Sequence, residues 1–239
     1  MKHIAIHRIL HGLYFMVAFS EIVSESLNYK PGIIILKPLI PLILMVLYTI
    51  VSTQRKLLFF LAMFCSALTN ILFTPNDNQM LFFGIIAFMF HRIFIIWLIY
   101  KVLKIKEYIP VVIATIPLLM IFFYLFAITE GIPENSFWIL IIQNFLIAIL
   151  GGIALSNYLV DDEKKNMWLL ICGLLFVALQ FIIFLERYYL SGLSPTIFRP
   201  IAMSLNVFAF YTFYRFVIAT ENQTIMVLPA DEVPDSASR

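Results

Sequence analysis

The stretch Ile33–Val51, IIILKPLIPLILMVLYTIV, decides the class of fold. Lys37 is its one charged residue, and most of the other side chains are large and apolar. A helix of this length extends about 28 Å, close to the ~30 Å thickness of the hydrocarbon core of a bilayer. The stretch therefore predicts a transmembrane helix that carries a lysine and a proline inside the membrane.

The composition of the whole chain agrees with this prediction. Of its 239 residues, 62% are hydrophobic and 13% are charged, whereas about half of a soluble domain is apolar. The excess of apolar side chains indicates a polytopic integral membrane protein. The basic residues are scattered, so nucleic acid is not an expected partner. Cys65 and Cys172 lie in apolar runs, and neither a disulfide, a metal site nor a cofactor is predicted.

Eight apolar runs are long enough to be considered as membrane spans. They are Ile4–Val23, Ile33–Val51, Leu57–Phe73, Met80–Tyr100, Ile109–Ile128, Ser136–Val160, Met167–Leu190 and Ile197–Thr220. The third run is the shortest, and the short breaks between runs make consecutive helices antiparallel neighbours. We expect an all-α bundle of eight transmembrane helices over residues 1–220, followed by a disordered cytoplasmic tail over residues 221–239.

The distribution of lysine and arginine predicts the orientation of the bundle. With eight spans, both termini lie on one side, which collects Lys2, Arg8, Arg55, Lys56, Lys101, Lys104, Lys106, Lys164, Lys165, Arg215 and Arg239. The opposite side has Lys30, Arg187 and Arg199. We therefore predict that both termini are cytoplasmic. Reporter fusions after Arg55 and after Arg239 should both give a cytoplasmic signal, and an external signal at either point would reverse the orientation.

Polar residues of several helices fall in the predicted outer half of the membrane. They are Lys37, Asn70, His91, Gln143, Asn144, Gln180 and Asn206, with Glu21 near the outer end of the first helix. Polar groups in hydrocarbon need partners or water, so their common depth predicts a wet cavity that opens outward. Two alternatives remain: hydrogen bonds between neighbouring helices for the amides, and a Lys37 side chain that reaches the membrane surface.

Other charged residues receive simpler interpretations. Arg92 follows His91 directly and should point to a different face of its helix, where a carboxylate or carbonyl groups would pair with it. Glu25 is interpreted as a loop or interface residue.

Pro38 is expected to free a carbonyl and kink its helix, which would widen the cavity.

Several short motifs resemble those of the YhhN-like, or lysoplasmalogenase, membrane proteins. Lys37-Pro38 in ILKPLI matches a Lys-Pro pair early in the second helix of that family. His91 in FGIIAFMFHRIFII matches a histidine of its fourth helix, and GLLFVALQFIIFLERYY matches the frame of its seventh. The resemblance covers almost the whole chain in span number, spacing and loop length.

The resemblance implies cleavage of the vinyl ether of lysoplasmalogens to a fatty aldehyde and a glycerophospho-alcohol, in a bacterial inner membrane. Two intramembrane aspartates of the family fall at Asn70 and Gln180, and amides cannot shuttle protons near neutral pH. A family tyrosine falls at Phe94, and a tyrosine and glutamine of the last helix fall at Asn206 and Phe210.

The resulting candidate site has two parts. The candidate catalytic positions are His91, Asn70 and Gln180, with Glu21 or Glu186 as a possible carboxyl group. The candidate substrate-binding residues are Lys37, Asn206, Gln143, Asn144 and Glu21.

The expected partners are membrane lipids, including a lysophospholipid whose phosphate would pair with Lys37. Three function classes stay open: an ether-lysolipid hydrolase, a non-catalytic lipid-binding membrane protein and a small transporter. A retinal photoreceptor is disfavoured because the last helices contain no lysine for a Schiff base.

Overall fold

A computed structural model of the chain describes the backbone of residues 2–75, 77–103, 107–129, 134–161, 163–186 and 197–227. Within these ranges the side chains are described except at residues 2–5, 78, 134–135 and 223–227. The described residues form eight α-helices, in the order α1 Lys2–Ser26, α2 Lys30–Val51, α3 Leu57–Leu72, α4 Asn78–Val102, α5 Ile109–Ala127, α6 Glu134–Val160, α7 Lys164–Phe184 and α8 Phe198–Val227. The predicted all-α fold is confirmed.

Within the described residues, seven of these helices are long and apolar enough to cross a membrane. The exception is α3, with 16 residues, which at 1.5 Å per residue is about 24 Å long. The prediction that the third run is the shortest is therefore confirmed. These helices make the chain a multi-pass membrane protein of the helical-bundle type.

The helices pack as a closed ring around a shared interior. Consecutive members of the ring are α1, α2, α3, α4, α6, α7 and α8, and α8 packs again on α1. Helix α5 packs on α6 and so lies outside the ring. Polar side chains on the inner faces of the seven ring helices can therefore reach one another, whereas α5 contributes mainly apolar surface.

Two helix ends differ from the predicted spans in ways that matter for function. Helix α1 continues to Ser26 rather than ending at Val23, and this extension places Glu25 on a helix. Helix α8 continues past Thr220 to Val227, so the tail predicted for residues 221–239 begins too early. The rest of that tail, residues 228–239, lies outside the described residues.

The extension of α8 has a physical cause in Glu221. This carboxylate is buried and accepts hydrogen bonds from the Tyr48 hydroxyl (2.6 Å), the Ser52 hydroxyl (2.9 Å) and the Thr53 backbone N–H (3.2 Å). All three donors lie at the end of α2 or in the connection to α3. The interactions of Glu221 therefore fasten the end of α8 to the α2–α3 corner, and the helix continues where composition alone predicts a polar tail.

Candidate functional site

Two carboxyl groups and one lysine meet where α1 and α2 join. The Lys37 ammonium donates to Glu25 Oε1 at 2.7 Å, and the Glu25 side chain is 3% exposed. Glu21 lies one helical turn before Glu25, on the same face of α1. Glu25 therefore lies on a helix and not in a loop, because the longer α1 carries it against Lys37.

The Glu21 carboxyl group is buried without a hydrogen bond. It is 0% exposed, and neither of its oxygens has a hydrogen-bond partner among the residues that the structure describes. Both Lys37 and Glu25 are near enough to act on it electrostatically. One lysine thus faces two buried carboxyl groups, and the three groups together carry one negative charge when all are ionised. One additional proton makes the set neutral. A neutral set is the less costly state in a low-dielectric interior.

Asn70 supports this cluster through the backbone of α2. Its Nδ2 donates to the Lys37 carbonyl oxygen at 3.0 Å. In a regular helix that carbonyl would accept from the N–H of residue 41, but Pro41 has none. Pro41 thus frees the carbonyl that Asn70 uses, whereas the carbonyl that Pro38 leaves without its helical N–H is that of Ile34. An ionised aspartate at position 70 could not donate this hydrogen bond.

A second polar network joins α4, α6 and α7 around Arg92. Arg92 is 1% exposed. Its guanidinium donates to the Gln143 carbonyl oxygen at 3.2 Å, to Gln143 Oε1 at 3.1 Å and to Gln180 Oε1 at 2.6 Å, and it lies over the ring of Phe88, 4.4 Å from the centroid. Acceptors for Arg92 are thus a carbonyl and two side-chain amides; within the described residues no carboxylate forms a salt bridge with it.

The amide nitrogens of Gln143 and Gln180 each make a further hydrogen bond. Gln143 Nε2 donates to the Ile85 carbonyl oxygen at 2.8 Å, and Gln180 Nε2 donates to Asn144 Oδ1 at 3.0 Å. Asn144 is 0% exposed, and its Nδ2 has no acceptor among the described residues. Gln143 and Gln180 therefore hold Arg92 inside the bundle, and Asn144 orients the Gln180 amide.

His91 points away from Arg92, as predicted. Its Nδ1–H donates to the Ala62 carbonyl oxygen of α3 at 2.7 Å, and its Nε2 has no hydrogen-bond partner among the described residues. The imidazole lies 5.3 Å from the ring of Phe210 on α8. Asn206 precedes Phe210 by one turn, is buried, and has an Oδ1 without a partner in the described part of the chain. His91 and Asn206 thus lie toward the interior shared by α4 and α8.

The candidate residues therefore belong to separate groups. Asn70 accompanies Lys37, Glu21 and Glu25 on the α1–α2–α3 side, whereas Gln180 belongs to the Arg92 network on the α4–α6–α7 side. The two amide positions make different hydrogen bonds and share none. Glu186, the other candidate carboxyl, accepts from Arg199 Nε at 2.9 Å near the end of α7. Glu25 was missed, although its spacing of four residues from Glu21 is the sequence signal that could have found it.

The comparison with protein-family models gives the family. The model of the YhhN family matches residues 32–221, a range that begins near the start of α2 and ends in α8. The chain belongs to the YhhN family. The resemblance seen in the sequence motifs is thereby confirmed. No curated protein and no solved structure matches the chain.

The matched range contains the Arg92 network but only part of the Lys37 cluster. The match includes Lys37, Asn70, Arg92, Gln143 and Gln180. Glu21 and Glu25 precede residue 32, outside the matched range. The carboxyl groups nearest to Lys37 therefore come from the segment of this chain that the family model does not cover.

Proposed function

We propose that this YhhN-family protein binds an ether lysophospholipid at the α1–α2–α3 cluster and hydrolyses its vinyl ether bond, with Glu21 as the proton donor. The observation that carries the proposal is the buried Glu21 carboxyl group, which has no hydrogen-bond partner among the described residues and lies beside the Lys37–Glu25 ion pair. A carboxylic acid without another hydrogen bond keeps its proton available for transfer to a substrate.

The chemistry requires one acid and one water molecule. The Glu21 carboxyl group would protonate the vinyl carbon distal to the ether oxygen, which gives an oxocarbenium ion. Water adds to the carbon attached to oxygen and returns a proton to the Glu21 carboxylate. The resulting hemiacetal collapses to a fatty aldehyde and a glycerophospho-alcohol, with the leaving oxygen taking a proton. The net reaction is the addition of one water, and the carboxyl group is regenerated.

Lys37 would bind the head group of the substrate. An ammonium has three donors, and Glu25 is its hydrogen-bond acceptor in the structure. Its side chain is 19% exposed, so part of it is accessible from outside the bundle. A lysolipid phosphate could use the remaining donors while Glu25 keeps the ammonium in place. Asn70 would fix the backbone that carries Lys37.

A second function, lipid binding without catalysis, is favoured by a different observation. Asn70 and Gln180, which take the places of the family aspartates, both make hydrogen bonds of a structural kind in this protein. A protein that keeps the polar interior but lacks both acids would bind the lysolipid and release it unchanged. Glu21 is the residue on which the two proposals differ.

The experiment that tests the function uses the purified full chain in detergent. The protein is incubated with a choline lysoplasmalogen, and fatty aldehyde is measured over time, with the saturated alkyl-ether analogue as the control. We expect aldehyde from the vinyl ether and none from the alkyl ether, which cannot be protonated to an oxocarbenium ion. Tight binding of both lipids without aldehyde would support the non-catalytic function, and absence of binding would contradict both.

The location of the protein is part of the same proposal. We propose a bacterial inner membrane on the basis of the family resemblance, and both termini in the cytoplasm on the support of the lysine and arginine distribution. In this orientation the α1–α2 junction and the Lys37 cluster lie on the outer side, where a lysolipid in the outer leaflet can reach them.

A further inference from the structure

Two histidines near the start of α1 form a close pair. His7 and His11 are one helical turn apart, and their Nε2 atoms lie 3.0 Å from each other. Both side chains are half-buried, so the pair is accessible from the edge of the bundle. The sequence predicts no metal site, but it does not show that two imidazole nitrogen atoms come this close together.

The distance between the two nitrogen atoms suits a chelated metal ion. Imidazole nitrogen binds a divalent ion such as Zn²⁺ at ~2.0–2.1 Å. Two such nitrogen atoms 3.0 Å apart therefore enclose an angle of about 90–95° at the metal. This angle is close to that between adjacent ligands in tetragonal Cu²⁺ and Ni²⁺ sites, whereas a tetrahedral ion needs about 110°. The ring centroids are 4.3 Å apart, which is closer than two rings joined end to end through these nitrogen atoms would be, so the rings lie partly side by side and one ion can reach both.

Nothing in the described structure fixes which nitrogen of His11 carries the proton. In the pair as it stands, one Nε2–H donates to the other Nε2, because a neutral imidazole has one donor and one acceptor. His11 Nδ1 is buried without a hydrogen-bond partner among the described residues, whereas the Nδ1–H of His91 donates to a carbonyl. The His11 proton can therefore move to Nδ1 without breaking any hydrogen bond except that of the pair, which leaves its Nε2 free to bind a metal.

Helix α8 holds the His11 ring in place. The ring packs against those of Tyr211 and Tyr214, with centroids 5.6 and 5.9 Å away. A ligand whose position is already fixed loses less conformational entropy when it binds a metal. Arg215 of the same helix is near enough to act on His11 electrostatically, and its positive charge opposes a second cation. We therefore expect reversible binding that needs both imidazoles.

We infer that His7 and His11 form a chelating site for one divalent transition-metal ion, with Cu²⁺ bound more tightly than Ni²⁺ or Zn²⁺. This order follows from the general order of metal affinities and from the angle between the two ligands. Within the part of the chain that the structure describes, no group of three or more His, Cys, Asp or Glu side chains could hold a metal ion, so water supplies the other ligands.

The site is separate from the Lys37 cluster. His11 lies about 15 Å along α1 from Glu21, and His7 lies farther away. Both histidines also precede residue 32, where the match to the YhhN family begins. Metal binding here is therefore independent of the proposed hydrolysis.

Copper titration of the purified chain, without an affinity tag and in a non-coordinating buffer near pH 8, tests the inference. Electron paramagnetic resonance identifies the nitrogen ligands of the bound ion. We expect one Cu²⁺ per chain with two imidazole ligands. The His11→Phe variant keeps an aromatic ring against α8 but lacks the donor, so the apparent Kd should rise at least about tenfold through loss of the chelate. His3→Ala is the matched control, because it removes a histidine of the same helix that is not part of the pair; its Kd should stay close to that of the parent.

Three outcomes would overturn the inference. The first is a parent chain that shows no saturable copper binding. The second is a parent spectrum with a single imidazole ligand, which would mean that the two rings do not chelate. The third is equal affinity in the parent and His11→Phe, which would place the ion elsewhere. Should His11→Phe fail to fold, His7→Phe removes the other ligand of the pair, and the same loss of affinity is expected; unchanged affinity there would refute the site.

Discussion

The Glu21→Gln variant is expected to lose aldehyde release by about 10²–10⁴-fold, the usual cost of removing a general acid. The substitution keeps the size and shape of the side chain and removes only its ability to donate a proton to carbon. Because the Glu21 carboxyl group has no hydrogen bond to lose within the described structure, Tm should stay within a few degrees of the parent value. Aldehyde production and Tm are measured on the same preparations.

The matched control for this prediction is Glu186→Gln. Glu186 is also a glutamate near a helix end, but it pairs with the exposed Arg199, and we expect less than about a threefold change in activity because such pairs contribute little. Lysolipid binding should survive in both variants. Full activity in Glu21→Gln would remove Glu21 from the reaction and leave His91 as the candidate donor.

The Glu221→Ala variant is expected to be destabilised by about 2–4 kcal/mol, because hydrogen bonds to a charged group contribute about 1.5–3 kcal/mol each and are not additive. The variant leaves the buried Tyr48 and Ser52 hydroxyl groups without their shared acceptor. It also releases the end of α8 from the α2–α3 corner. Denaturant unfolding in mild detergent measures the difference in the free energy of unfolding.

Two further variants serve as references for this measurement. Glu221→Gln retains one oxygen as acceptor, so its free energy of unfolding should lie between those of the parent and the alanine variant. Glu107→Ala removes an exposed carboxylate outside the helices, and its free energy of unfolding should stay within about 0.5 kcal/mol of the parent value. A Glu221→Ala protein as stable as Glu107→Ala would show that the hydrogen bonds of Glu221 do not hold the corner together.

The candidate residues show where reasoning from sequence stops. Lys37 and Asn70 were both selected as intramembrane polar residues, but their relation depends on Pro41, whose missing N–H leaves the Lys37 carbonyl free for Asn70. Gln180 was selected for its position in the family frame, and its role as an acceptor for Arg92 becomes visible only when α4 and α7 are packed together. Spacing along one helix shows which face a side chain occupies, but not which side chain of another helix meets it.

The sequence by itself determined the membrane class, the all-α fold, the approximate helix bounds and the family, because the lengths of apolar runs and short local motifs are properties of consecutive residues. It also showed that His91 and Arg92 lie on different faces, since neighbouring helical residues are turned by about 100° from each other. Only the tertiary structure decided which polar residues are partners. It paired Glu25 with Lys37, left Glu21 beside them without a hydrogen bond, placed Asn70 and Gln180 in separate networks, and extended α8 through the contacts of Glu221. Each of these results depends on contacts between residues of different segments, and the packing of the helices brings those residues together.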